Sequence, residues 1–217
     1  MQKDRKPRCC WILQIQTKFI YRSLDVSVWD RTSPAVSCLC GGGTVDDISV
    51  EVGSMRYHNI TKDDMLNGDG LRVVLWLSGC THQCRNCHNP VTWDIHGGLE
   101  FDRAAKDELF KELGKNYISG LTLSGGDPLH PENREPVGQL VKEIREKFPE
   151  KTIWMYTGFL WDEVCILDAV KNTDVLVDGR FEEDLKDTAL KWRGSSNQQV
   201  IDVKKSLEQM KKVLYIR

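Results

Sequence analysis

No stretch of the 217 residues approaches the ~18 uninterrupted apolar positions of a membrane-crossing helix. The apolar run around Trp11 to Leu13 follows Lys3, Arg5, Lys6 and Arg8, and it is too short for the core of a secretion signal. Neither sign of charge is in excess. Lys plus Arg is 30 and Asp plus Glu is 32, a net charge of −2, which is not the electrostatic footprint of a nucleic-acid-binding protein. Internal repeats and low-complexity tracts are missing. There is no Ser/His/Asp set, no Walker loop and no G-x-G-x-x-G after a strand. We therefore expect a cytoplasmic protein without a nucleic-acid or membrane partner. Hydrophobic residues make up 40% of the chain, enough to bury a core, which excludes wholesale disorder.

What the chain does have is eight cysteines, at positions 9, 10, 38, 40, 80, 84, 87 and 165. Cytosolic chains seldom spend cysteines on disulfides, so a cluster of them points to a metal or redox site. Cys80, Cys84 and Cys87 are such a cluster. Cys165 lies alone in an apolar stretch and reads as a small buried hydrophobe.

The chain divides near Met55. Residues 1–54 have no strand–helix rhythm, and Cys9-Cys10 and Cys38-Leu39-Cys40 do not match a standard zinc spacing. We read 1–54 as an N-terminal extension, disordered or a mis-assigned start. From Met55 onward, short apolar runs alternate with amphipathic segments. Strands are predicted at Arg72–Leu77, Leu121–Leu123, Thr152–Tyr156 and Asp174–Val177. Helices are predicted at Asp102–Leu113, Pro136–Phe148 and Leu160–Val170. This order predicts an α/β fold of parallel strands. In such folds the chemistry sits at the carboxyl ends of the strands. Ser78-Gly79-Cys80, Gly125-Gly126-Asp127, Thr157-Gly158 and Asp178-Gly179 all fall there.

The cysteine spacing is C-x-x-x-C-x-x-C. Three thiolates within eight residues can wrap one small inorganic centre. Closed structural zinc sites and ordinary iron–sulfur cubanes use four protein ligands. Three on a four-iron cluster leave one iron open for a substrate. The residues alone leave other readings: a zinc site completed by His82 or His88, a redox pair in Cys84-Arg85-Asn86-Cys87, or three unrelated buried cysteines.

The motifs together carry a resemblance. Asn67-Gly68-Asp69-Gly70-Leu71-Arg72 precedes the first strand, and Ser78-Gly79-Cys80-Thr81-His82-Gln83-Cys84 leads the cysteine loop. Ser124-Gly125-Gly126-Asp127-Pro128-Leu129-His130-Pro131, Thr157-Gly158, Leu176-Val177-Asp178-Gly179-Arg180-Phe181 and Trp192-Arg193-Gly194-Ser195-Ser196-Asn197-Gln198 follow in order. From about Met55 to about Val200, the sequence resembles radical S-adenosylmethionine (SAM) proteins of the kind that activate anaerobic (class III) ribonucleoside-triphosphate reductase. The resemblance implies an incomplete (β/α) barrel of radical SAM type over 55–217, an oxidoreductase that generates a glycyl radical. It implies a [4Fe-4S] cluster on Cys80, Cys84 and Cys87, with SAM at the open iron. Gly126 is implied to bind the methionyl amino group, and Asn86, Cys87 and His88 to lie along the nucleoside. The implied partners are the reductase large subunit and an electron donor such as flavodoxin or ferredoxin. The chain departs from the superfamily in one place. An aromatic residue often precedes the third cysteine, whereas here Asn86 does; His88, just after it, has an imidazole able to stack on adenine.

Two alternatives belong beside this reading: activation of another glycyl-radical enzyme, of the pyruvate formate-lyase type, and a zinc-stabilised interaction module. The sequence leaves several polar residues open. Arg72 reads as a partner contact or an exposed strand-edge arginine. Asp178 reads as a ribose contact or a cap. Arg193–Asn197 reads as a cover over the cofactor or a solvent loop, and His130 as structural.

Overall fold

The computed structural model describes residues 55–216, and the readings made for 1–54 lie outside the described residues. In the described part, strands β1 (Arg56–Asp64), β2 (Arg72–Leu77) and β3 (Leu99–Glu100) are followed by helix α1 (Arg103–Leu113) and strand β4 (Gly120–Gly125). Helix α2 (Arg134–Lys147), strand β5 (Thr152–Tyr156), the short helices α3 (Trp161–Val164) and α4 (Asp168–Lys171), strand β6 (Val175–Asp178), strand β7 (Gln199–Asp202) and helix α5 (Val203–Glu208) complete the order. The strands form one open sheet of mixed direction, in the order β3-β1-β2-β4-β5-β6-β7.

The four predicted strands are the central ones, and they run parallel: β2 with β4, β4 with β5, β5 with β6. An all-parallel sheet is not what forms. β1, β3 and β7 were not predicted, and they join antiparallel at the two edges. Their sequences explain the difference. RYHNITKDD in β1 and QVID in β7 carry too few apolar residues for a buried-strand signal, because an antiparallel strand can leave one face in solvent.

Alternation along the strands separates two faces. Val73, Leu75, Leu77, Leu121, Leu123, Ile153, Met155 and Leu176 pack with the apolar stripes of α1 and α2, among them Leu109, Leu113, Val137, Val141 and Ile144, into one core. Asp102 caps α1 by accepting a hydrogen bond from the Ala105 amide at 2.9 Å. The other face carries Arg72, Thr122, Trp154, Val175 and Val177, with a smaller apolar cluster around Trp154. Trp192 and Tyr215 stack edge-on against Trp154 at centroid distances of 5.0 and 5.3 Å.

The helix predicted over Leu160–Val170 is two short helices. The chain opens at Leu167, whose ψ is 138°. In one continuous helix Ile166 and Val170 would share a face. The break lets Val170 be fully buried while Ile166 stays exposed. Cys165 is buried in the main core. Among the described residues no helix is long and apolar enough to cross a membrane.

Candidate functional site

The carboxyl ends of β2, β4, β5 and β6 open onto one cavity of about 530 Å³. Its lining includes Cys80, Cys84 and Cys87 from the loop after β2, Ser124, Gly125 and Gly126 from the end of β4, Tyr156, Thr157 and Gly158 from β5, and Gly179 to Phe181 after β6. Asn86 and His88 also line it. The residues implied as cluster ligands or SAM contacts, Cys80, Cys84, Asn86, Cys87, His88 and Gly126, therefore border the same space.

The cysteine loop is held at its base by backbone. The Gly79 and Cys80 amides donate to the carbonyls of Thr92 and Trp93 at 2.8 and 3.0 Å, and Asp127 N–H donates to the Gly79 carbonyl at 2.6 Å. Two residues of the loop take left-handed backbone, Gln83 at φ 46° and Asn86 at φ 56°. Asparagine tolerates that region better than a bulky aromatic, which accounts for the departure before Cys87. All three cysteines are half-buried and none is in a disulfide. Burial pushes the Cys80 thiol up, against the pull of the His82 and Gln83 amides. Burial likewise raises Cys84, opposed by the Phe181 amide and the Arg180 guanidinium. Among the described residues no three His, Cys, Asp or Glu side chains converge as a single-ion site requires. The three thiols are instead distributed around the shared cavity.

The β4 turn brings main chain to the cavity. Gly125 has φ 106°, a value that favours glycine. A Cβ on Gly126 would overlap the Gly79 carbonyl and lie 2.7 Å from the Thr92 carbonyl oxygen, so only glycine lets this turn nest against the cysteine loop. Asp127, next in the chain, is 1% exposed. Its carboxylate accepts from the amides of Leu129 and Gly158 and from the Thr157 hydroxyl, at 2.8 to 3.0 Å. His82 Nε2 lies 3.0 Å from Asp127 Oδ2. The tie of Asp127 to β5 joins residues 30 apart in the chain, and no local pattern reports such a contact.

The segment after β6 forms the far wall. Arg193 and Gly194 line the cavity with Lys186 and Gln198, and Gln198 holds the turn by accepting from the Gly194 amide at 2.9 Å. Arg85 of the cysteine loop meets Asp184 of this segment at 2.5 Å, both side chains exposed.

Other residues singled out from the sequence are structural. Arg72 is not at an exposed edge and, among the described residues, is not paired with a carboxylate. It is fully buried and donates to the Thr122 and Thr152 hydroxyls and to the carbonyls of Asp69, Leu121 and Thr152. Its burial pulls the guanidinium down to about 10, still charged at neutral pH. Asp178 accepts from the Trp161 and Gln199 amides, a cap joining α3 to β7. His130 is buried and accepts from the Glu132 amide at 3.4 Å.

Comparison with known proteins agrees with this geometry. The 4Fe-4S single cluster domain family matches residues 66–201. An anaerobic ribonucleoside-triphosphate reductase-activating protein from Enterobacteria phage T4 is 44% identical over 146 residues, 67% of this chain and 93% of that protein. The one from Escherichia coli K12 is 45% identical over 150 residues, 67% of this chain and 97% of that protein. The one from Vibrio cholerae is 40% identical over 151 residues, 66% of this chain and 96% of that protein. The chain belongs to this family of reductase-activating proteins. The donor set suits a cluster: three thiols and, among the described residues, no fourth cysteine in the cavity lining. The glycine-built turn of this activating-protein family member presents main chain at the same cavity.

Proposed function

We propose that this chain is the radical SAM activase of an anaerobic ribonucleoside-triphosphate reductase, with residues 55–217 as an incomplete radical SAM barrel. Cys80, Cys84 and Cys87 hold a [4Fe-4S] cluster by three thiolates. SAM lies in the adjoining cavity, with Gly126 main chain at its methionyl amino end and Asn86, Cys87 and His88 along its nucleoside. A cluster held there would supply one electron for reductive cleavage of the sulfonium C–S bond of SAM, the chemistry needed to take a hydrogen from a glycine of the reductase. The protein's residues hold, orient and shield. The nested Gly126 turn fixes main-chain donors and acceptors beside the thiols. Asp127, Thr157 and Gly158 lock that turn to β5. Arg180, Phe181, Lys186, Arg193 and Gly194 form the far wall of that space. The sheet is open, which suits a site that must admit the backbone of a large partner. We place the reaction in the cytoplasm, where a flavodoxin or ferredoxin supplies the electron.

The observation that carries this reading is that the three thiols and the Gly125-Gly126 turn border one cavity at the ends of four parallel strands. The test is anaerobic reconstitution with iron and sulfide, reduction by dithionite with SAM, and chromatography of 5′-deoxyadenosine beside a Cys84→Ala control. Product in the wild type and none in the control is expected. Zinc in place of iron, with no product, would sink the proposal. Adding the reductase should yield the electron paramagnetic resonance (EPR) doublet of a glycyl radical.

A further inference from the structure

Three loop ends meet at one buried carboxylate. Asp127 follows the β4 glycine turn and ties it to β5 through Thr157 and the Gly158 amide. Its remaining neighbour is His82, from the middle of the cysteine loop, at 3.0 Å. The His82 side chain is 4% exposed and the Asp127 side chain 1%. The contact is close, yet neither ring nitrogen of His82 has a hydrogen-bond partner within the described residues. A buried imidazole left so sparsely bonded is costly. Packing nonetheless holds it in place. Phe159 meets the ring edge-on at a centroid distance of 4.6 Å. A Cβ on Gly158 would stand 2.6 Å from Nε2 and 2.7 Å from Cγ, so the β5 turn leaves its side-chain space to this ring.

Resting on the activase reading above, we propose that His82 and Asp127 are a positioning couple that sets the distance between the cluster-holding thiols and the SAM-holding glycine turn. Asp127 commits its carboxylate to donors of Leu129, Thr157 and Gly158, and both it and His82 border the cavity. His82 is wedged between that carboxylate and Gly158, two residues beyond Cys80 and two before Cys84. Movement of the cysteine loop must move the ring, and the ring abuts the two segments that line the SAM side of the cavity. Groups that orient ligands from behind typically change affinity or activity about 10- to 100-fold when altered.

The test uses the reconstituted full chain with His82→Leu, His82→Gln and Asp127→Asn. Leucine keeps bulk and removes the polar edge. Glutamine places an amide nitrogen near the reach of Nε2. Asparagine keeps the shape and one acceptor oxygen, which can serve Thr157 and Gly158 but leaves the Leu129 amide without its acceptor, and it removes the charge facing His82. Iron content, SAM affinity by equilibrium dialysis, and the EPR spectrum of the reduced cluster with and without SAM are read for each. Expected are wild-type iron content throughout, SAM binding weaker by about 10- to 100-fold in His82→Leu and Asp127→Asn, and loss of the SAM-induced change in the spectrum. His82→Gln should recover most of both. Wild-type SAM affinity in His82→Leu would overturn the inference alone. Iron content and melting temperature falling together in both His82→Leu and Asp127→Asn would also overturn it, by showing a purely structural role. A wild-type spectrum indifferent to SAM would overturn the functional reading and this inference with it.

Discussion

Gly158 and the imidazole of His82 compete for one volume: a methyl group on the glycine would sit 2.6 Å from Nε2 and 2.7 Å from Cγ. Gly158→Ala should therefore destabilise the protein by about 1–3 kcal/mol through overpacking, read by denaturant unfolding. Introduced into His82→Ala, the same substitution should cost less by at least about 0.5 kcal/mol, since the two sites are in contact. Equal effects in both backgrounds would show that the ring is not what fills the space.

Arg72 supplies a second test. It is fully buried and serves five neutral acceptors, while its guanidinium lies 5.4 Å from the Trp154 ring centroid. Arg72→Ala strands buried acceptors and leaves a void beneath the aromatic cluster. A loss of roughly 3 kcal/mol or more is expected by thermal or denaturant unfolding. A loss under about 1 kcal/mol, the usual range of an exposed substitution, would contradict the buried assignment.

Asp174 makes stability depend on acid. Burial acts to raise its carboxyl, but Lys204, Arg145 and the Ile153 amide prevail and hold it below the ordinary value. The contacts are 2.7 Å to Lys204, 2.6 Å to Arg145 and 2.7 Å to the amide. A depressed carboxylate stabilises above its unfolded pKa, near 4, and that contribution fades as pH falls through the folded value. Asp174→Asn should cost about 1–2 kcal/mol at pH 7, solvent access taken into account. The gap to wild type should narrow below about pH 4. A gap independent of pH would refute the charge-based account.

Gly126 tests the nested turn. A side chain there collides with main chain of the cysteine loop rather than with a flexible group, so relief requires the backbone to shift. A displacement near 1 Å at a reacting centre can cost about 100-fold in rate. Gly126→Ala should cut 5′-deoxyadenosine formation by about that factor while iron content stays at wild type. Unchanged formation would remove this turn from the site.

The parts of this molecule legible in its sequence are those set by local pattern. Arg72–Leu77 and Thr152–Tyr156 are strands at the predicted bounds, because buried parallel strands must be continuously apolar. That the cysteine loop and the glycine turn would share one neighbourhood was legible, since both follow parallel strands and so meet at the same sheet edge. What escaped depends on distance along the chain. β1 owes its strand state to β2 and β3, not to its own polar sequence. Arg72 inside RVVLWL signals nothing locally, because its acceptors come from β4, β5 and the loop before β2. His82 and Asp127 lie 45 positions apart, and only the parallel pairing of β2 with β4 brings them together.

The chain's last residues have a practical consequence. Tyr215 N–H donates to the Val200 carbonyl, and the Val213 carbonyl accepts from the Asp202 amide, so the tail runs along the outer side of β7 while the Tyr215 ring caps Trp154 and Trp192. An uncovered strand of this kind is a template for sticking to other chains. Trimming the polypeptide after Lys212 would strip that seal. Recombinant material so altered should be prone to self-association, whatever the integrity of its cavity.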